Sequence, residues 1–239
     1  MENNEVFKRC VALLGEDNFN IIHNAKVMII GLGAVGGYAL ESVVRTGVNN
    51  IVVVDFDVFE ASNLNRQILA TINSLGLKKC DEAKKRILEI NPNANVRVYD
   101  LKIKGDILSF IKEENPNFVI DAIDDVVAKC DLIEFLVNNN IEFVSAMGAA
   151  LKFDPTLIKD CTLNKTDNCH LAKKVRGIMK KKGVDLKKVN VVYSKEVSKI
   201  IKDECGNNVL GSVCFVPMAM GAKLGEIAIK KLINRGKDE

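Results

Sequence analysis

Short apolar runs alternate along the chain with stretches whose apolar positions follow a helical period. "KVMII" at 26–30 is bounded by glycine, as expected of a strand buried on both faces. A helix is expected through Tyr38, Leu40, Val43 and Val44, stopped by Gly47. "NIVVVD" supplies a second strand, and a strand, glycine turn, helix, strand unit places two parallel strands side by side. The same alternation continues with an amphipathic helix over 78–90, an alternating strand "NVRVYDL" and a helix over 105–116. Then come a strand in "FVIDAID", a helix over 129–140 and a strand in "IEFVSA". This order implies an α/β, Rossmann-like doubly wound and mainly parallel sheet with a C-terminal extension.

Before that pattern, a helix over 6–23 is expected to break near Gly15. After Gly148 the rhythm changes. "DPTLIKDCTL" suggests a strand of a different sheet region, 170–183 a basic helix, and "VNVVYS" another strand. From Gly211 onward a short strand, a proline turn and a C-terminal helix are expected, and 197–210 is the most loop-like segment.

Gly31, Gly33 and Gly36 form G-x-G-x-x-G between a strand and a helix, the context in which backbone N–H groups and a helix N-terminus can meet a phosphate. The bland alternative is a turn that serves only helix–sheet packing. Asp55 follows about twenty residues later, where a carboxylate can accept ribose hydroxyls. These features suit dehydrogenases as well as other nucleotide binders.

The next loop separates them. Asp55 and Asp57 are followed by Ser62, Asn63, Asn65, Arg66 and Gln67, more hydrogen-bonding groups than a connection needs. Hydride transfer has no use for such donors behind the ribose carboxylate, whereas adenylate formation does, because charge gathers on phosphate oxygens as pyrophosphate leaves. Arg66 is the first candidate cation and Lys79 the second, and Asp124 is placed to hold magnesium. Each lies at the carboxyl end of an expected strand or in the loop after it. Plainer roles compete for single residues: Ser62 and Asn63 as caps or turn formers, Lys79 on a solvated face, Asp121 as a cap for the following helix.

Composition narrows the class. A hydrophobic fraction of 48% and a charged fraction of 27% over 239 residues describe an ordinary globular protein. A net charge of +3 argues for no partner by itself. The seven cysteines include no C-x-x-C pair, which gives a zinc ribbon no support, and are expected as reduced thiols of a cytoplasmic protein. No apolar run reaches the roughly 18 residues of a membrane span.

"GLGAVGG", "VVVDFD", "SNLNRQ", "GLKK" and "VIDAIDD", in this order, resemble the ubiquitin-activating, ThiF-type superfamily over about residues 9–149. The resemblance implies ATP with magnesium and an acyl-adenylate. It assigns Gly33 to phosphate approach, Asp55 to ribose, Asn63, Arg66 and Lys79 to phosphate charge, and Asp124 to the metal. Arg9, in "VFKRCVALLG", would then act across a homodimer. The whole of 1–239 would form one adenylate-forming domain: an N-terminal helical segment at 1–24, a nucleotide-binding core at 25–150, and a substrate-binding and C-terminal extension at 151–239.

Further segments, "VFKRCVALLGEDNF", "DPT", "LAKKVR", "VVYS" and "GSVCFVP", resemble the tRNA threonylcarbamoyladenosine dehydratases within that superfamily. That implies adenylation of the threonyl carboxylate of the modified adenosine beside the anticodon. Ring closure by its own ureido group follows, a step needing no catalytic cysteine. Lys173, Lys174, Arg176, Lys180, Lys181 and Lys182 then become candidate tRNA contacts, although a charge run alone is more often a solvated face. The competing reading is an adenylyltransferase for the C-terminus of a ubiquitin-like sulfur-carrier protein, and a sulfur donor of the cysteine desulfurase type is a conceivable further partner. Two departures stand out: "GAAL" at 148–151 where relatives often have "GAGN", and Cys169 with His170 where a D-P pair is more usual.

Overall fold

Strand residues 27 to 30 alternate between two apolar layers, and this alternation organises the molecule. The computed structural model describes residues 3–103, 108–199 and 201–238. Three short helices, α1 (Asn3–Val6), α2 (Lys8–Leu14) and α3 (Glu16–Asn24), precede β1 (Lys26–Ile30), α4 (Ala34–Thr46) and β2 (Asn50–Val54). There follow α5 (Lys79–Ile90), β3 (Asn95–Tyr99), α6 (Ser109–Glu114), β4 (Phe118–Asp121), α7 (Val126–Asn138) and β5 (Phe143–Ala146). The remainder supplies β6 (Ile158–Thr162), α8 (His170–Lys181), β7 (Asn190–Ser194), β8 (Ile201–Lys202), β9 (Asn208–Val209) and α9 (Phe215–Asp238).

Seven strands form one sheet in the order β3-β2-β1-β4-β5-β7-β6, parallel except for β6. Val27, Ile29, Ile51, Val53 and Ile120 face a layer containing α3, α4, α5 and α9. Met28, Ile30, Val52, Val54 and Val119 face the other, with α6, α7 and α8. Strands apolar on both sides are what a parallel sheet covered by two helical layers requires. Strand order runs outward in both directions from β1 and β4, so the crevice between their carboxyl ends is the topological switch point.

The break near Gly15 is present: this residue, at φ 81°, ends α2 and starts α3. Two expectations are corrected. The 154–163 segment belongs to the same sheet, where β6 pairs antiparallel with β7 as an edge strand. Its exposed Lys159 and Asp160 suit an edge that pairs on one side only. No strand forms at 211–214; α9 starts directly at Phe215, with Pro217 in its first turn, where a missing N–H leaves no helical bond unmade. Two smaller differences are that the 78–90 helix begins at Lys79 and the 197–210 loop carries the short β8–β9 hairpin. Part of the helix expected over 105–116 lies outside the described residues; its described portion is α6.

Glu114, at the end of α6, ties this layer to the sheet. Its carboxylate, 2% exposed, accepts from Arg97 at 2.8 Å and Lys26 at 3.3 Å, and from the Tyr99 hydroxyl. Burial pushes the Glu114 carboxyl up, but the bonds from Tyr99, Arg97 and Lys26 outweigh it and leave it below its ordinary value near 4.5. A depressed carboxylate contributes stability above the unfolded-state value and loses it as pH falls through the folded one. Glu114→Gln is therefore expected to be less stable than the parent at neutral pH, with the gap in urea midpoint closing on acidification below about 4.5. A gap independent of pH would remove the charge from this account.

Candidate active site: a cleft at the carboxyl edge of the sheet

The glycine turn is shaped by contact with β4. Gly31 has φ +90°, and a Cβ there would meet the Ala122 carbonyl at 2.8 Å. A Cβ on Gly36 would come within 1.8 Å of the Gly31 oxygen. These two glycines let β1, the turn and α4 close up beside β4, so Gly36 serves packing and lies outside the cleft lining. Gly33 differs: nothing lies within 4 Å of its would-be Cβ, and its backbone borders open space. That space is a cleft of about 720 Å³ at the switch point.

Asp55, at the end of β2, is 8% exposed and accepts from the backbone N–H of Leu32 at 2.6 Å and of Asp57 at 2.9 Å. Burial pushes its carboxyl up, opposed by those bonds and by Lys79. The carboxylate thus braces the glycine turn from behind while lining the cleft. Lys79 is not on a solvated face: it is 6% exposed, pairs with Asp57 at 3.0 Å and lines the cleft from the start of α5.

In the polar loop, Arg66 and Gln67 line the cleft, but Ser62 and Asn63 do not. Asn63 accepts from Glu60 N in a reciprocal cap of a single helical turn, and Ser62 is exposed beside it. Arg66 Nη1 donates to Ser62 O at 2.6 Å and Asn65 Oδ1 at 2.9 Å, the only bonds its guanidinium makes among the described residues. Gln67, 7% exposed, has a buried Oε1 without a partner among the described residues. An orphaned buried acceptor in a cleft wall is costly unless something in the cleft donates to it.

Asp124 lines the cleft from the turn after β4, exposed and without a bond or ion pair among the described residues. That turn is held from below. Asp121, Lys129 and Ser145 are all fully buried; Lys129 Nζ lies 2.6 Å from Asp121 Oδ2 and 3.1 Å from Ser145 Oγ, and Ser145 donates to Asp121 at 2.5 Å. Asp121 Oδ1 accepts from Ile123 N at 3.0 Å. Asp121 therefore fixes the turn rather than capping α7; the cap is Asp125, which accepts from Ala128 N at 2.8 Å. Residue type alone did not single out this buried trio.

The two departures noted in the sequence meet here: Gly148 to Leu151, with Lys152, which sequence reasoning passed over, line the cleft together with Cys169 and with His170 and Lys174 of α8. Lys152 is 5% exposed. Leu151 sits at φ 59°, the left-handed region, and its N–H donates to Gly211 O at 2.8 Å. A leucine pays for that backbone conformation where an asparagine tolerates it. Leu151→Asn is expected to raise the unfolding midpoint by about 2–4 °C, corresponding to about 1 kcal/mol of relieved strain. A lowered midpoint in a thermal melt would contradict it.

The basic helix divides. Lys173, Lys174, Lys180 and Lys181 are exposed, and their side chains make no bond among the described residues. Arg176 bonds Thr166, at 2.7 Å through its carbonyl, and Lys182 pairs with Asp131 at 3.0 Å and Glu134 at 2.5 Å. These two hold α8 in place. Arg9, on α2, is exposed and does not line the cleft of its own chain. The seven cysteines are free, and no cluster of His, Cys, Asp and Glu suited to a metal occurs among the described residues. Nor is any described helix long and apolar enough to cross a membrane.

Fold and cleft together define a Rossmann-like α/β protein with a cation-lined site at the carboxyl edge of its sheet. Residues 7–238 match the ThiF family, and the chain belongs to it. It is 31% identical over 240 residues to the tRNA threonylcarbamoyladenosine dehydratase of Bacillus subtilis, covering 95% of this chain and 94% of that one. The structure of the Escherichia coli tRNA N6-threonylcarbamoyladenosine dehydratase, TcdA, in complex with ATP superposes with a TM-score of 0.91 at 30% identity, over 99% of this chain and 97% of that chain. By contrast, an adenylyltransferase and sulfurtransferase of Saccharomyces cerevisiae is 32% identical over 137 residues, 57% of this chain and 31% of that protein.

Proposed function

We infer that the chain is an ATP-dependent tRNA threonylcarbamoyladenosine dehydratase. It converts the threonyl carboxylate of the modified adenosine to an acyl-adenylate, and the ureido group of the same substituent then closes the ring with loss of AMP. One observation carries this reading: similarity to dehydratases extends through the cleft-lining loop after β5, α8 and α9, whereas similarity to the adenylyltransferase and sulfurtransferase covers little more than half the chain.

The residues present fit ATP. Gly33 leaves the approach to the N-terminus of α4 open, and Arg66 and Lys79 supply cations. Asp55 offers an acceptor beside the glycine turn, and Gln67 a buried acceptor in search of a donor. Magnesium would be held by Asp124 and the phosphates, since magnesium commonly takes one or two carboxylates and substrate oxygens. It would neutralise charge developing on the phosphates. The exposed lysines of α8 adjoin the cleft through Lys174 and are suited to backbone contacts with tRNA. In this reading the protein works in the cytoplasm as a homodimer, with Arg9 reaching the partner's cleft, and residues 151–239 serve the substrate. Among the described residues no feature speaks for a sulfur-donor partner, which stays outside this reading.

The test is to incubate the protein with ATP and magnesium and either a tRNA carrying threonylcarbamoyladenosine or a carrier protein ending in Gly-Gly. AMP and a cyclised nucleoside are expected with the tRNA alone. Pyrophosphate release with only the carrier would transfer the activity to the alternative.

A further inference from the structure

Lys152 is a buried cation with no ion-pair partner among the described residues. Its ammonium donates to two neutral groups, Asn168 O at 3.2 Å and Glu196 O. Among the described residues no carboxylate lies within ion-pair distance. The nearby acids are occupied elsewhere: Glu196 Oε2 accepts from Phe153 N at 2.8 Å and Asp154 N at 2.9 Å, and Asp167 accepts from Tyr193 at 2.9 Å. Burial accordingly pulls the Lys152 ammonium below its ordinary value, opposed by Cys169, Glu196 and Asp167. An ammonium has three donors, and two are spent on carbonyls.

Such a group is expensive to keep unless something completes it, and Lys152 lines the cleft. Its surroundings favour an anion. Cys169 caps α8 without a side-chain bond, and Cys169, His170 and Leu171 border the same space, so the positive end of that helix faces it. The phosphate-binding cations assigned above, Arg66 and Lys79, come from other loops, following β2 and opening α5.

We propose that Lys152 is the residue that binds the substrate carboxylate awaiting adenylation, in a subsite formed by the loop after β5 and the start of α8. The proposal rests on the dehydratase reading. The carboxylate supplies the missing countercharge and takes the third ammonium donor, while the two carbonyl bonds hold the ammonium in position. Specificity follows: a neutral substituent at that place leaves Lys152 uncompensated and binds less well.

Synthetic anticodon stem–loop RNAs carrying either threonylcarbamoyladenosine or its carboxamide counterpart test this, with a non-hydrolysable ATP analogue present. The parent protein is expected to bind the carboxylate form about 10- to 100-fold more tightly, the usual range for a hydrogen bond to a charged group. Lys152→Met should abolish the preference, Lys152→Arg retain part of it, and affinity for the ATP analogue stay the same in all three. A merely structural lysine would weaken both RNAs alike, so a preference that survives Lys152→Met overturns the proposal. If Lys152→Met does not fold, the parent decides without it: equal affinity for the two RNAs also overturns the proposal, and a preference reduced in Lys152→Arg supports it. A parent that releases no AMP with the modified RNA and ATP fails the dehydratase reading; one that does so while Lys152→Met keeps the preference fails this subsite alone.

Discussion

Lys129→Ala should lower the free energy of unfolding by about 3–5 kcal/mol, because it strands a buried carboxylate. Asp121, Lys129 and Ser145 have no exposure to solvent, and the ammonium is the one cation bonded to Asp121 among the described residues. Removing it leaves Asp121 to ionise without compensation or to take up a proton. The double variant Lys129→Met with Asp121→Asn should recover much of the loss, since it removes both charges and keeps the volume. Urea unfolding of the three proteins measures this, and a single variant within about 1 kcal/mol of the parent would refute the pairing. The damage should reach the site as well. Asp121 also holds Ile123 N, and through it the turn that presents Asp124.

The second large effect is expected at Arg66. With only Nη1 engaged among the described residues, the rest of its guanidinium is free to meet phosphate oxygens. Arg66→Ala should lower kcat for AMP formation by about 10²–10³-fold, the loss typical of a preorganised donor to a developing oxyanion. The KM for ATP should move far less, because the interaction strengthens as pyrophosphate departs. Stability should hardly change, as the two bonds it makes are at the surface. Steady-state kinetics on tRNA decides; an unaltered kcat would sink the role assigned to this arginine.

Much of the fold could be read from local patterns, because a strand buried on both faces leaves an apolar run and a helix against a sheet leaves a stripe. β1, the glycine turn, α4 and β2 are written contiguously, and so is their chemistry: Gly33, Asp55, Arg66, Lys79 and Asp124 all reach one cleft. What local pattern conceals is pairing over distance. The edge strand β6 is short and half polar, and nothing in its residues names β7 as an antiparallel partner. Pro217 suggests a turn before a helix, yet the first turn of a helix accepts it equally well.

The same reason hides Lys129 and Lys152. Each stands in sequence among ordinary helix or loop residues, and only the folded chain shows that one meets Asp121 and Ser145 and the other two backbone carbonyls. A signal existed for the first: "VVAKCDLIEFL" places a lysine within an apolar face, where a cation requires a buried partner. Asn63 shows the other side of this: its residue type suits a ligand, whereas its carbonyl accepts from Glu60 N and the residue stays off the cleft lining.

The position of Arg9 has a consequence for assembly. Phe7, 2% exposed, packs on Phe19 with centroids 5.8 Å apart; Phe19 stacks on His23 at 5.5 Å, and His23 Nδ1 lies 2.8 Å from Gly47 O at the end of α4. The helix that carries Arg9, two residues past Phe7, is therefore anchored at its base rather than hung on a swinging arm. A swinging arm finds a distant target from many approaches; an anchored helix leaves only the side chain's own reach. A second subunit that relies on Arg9, as proposed above, would meet that anchored helix, and the aromatic stack beneath α2 would narrow the approaches open to it.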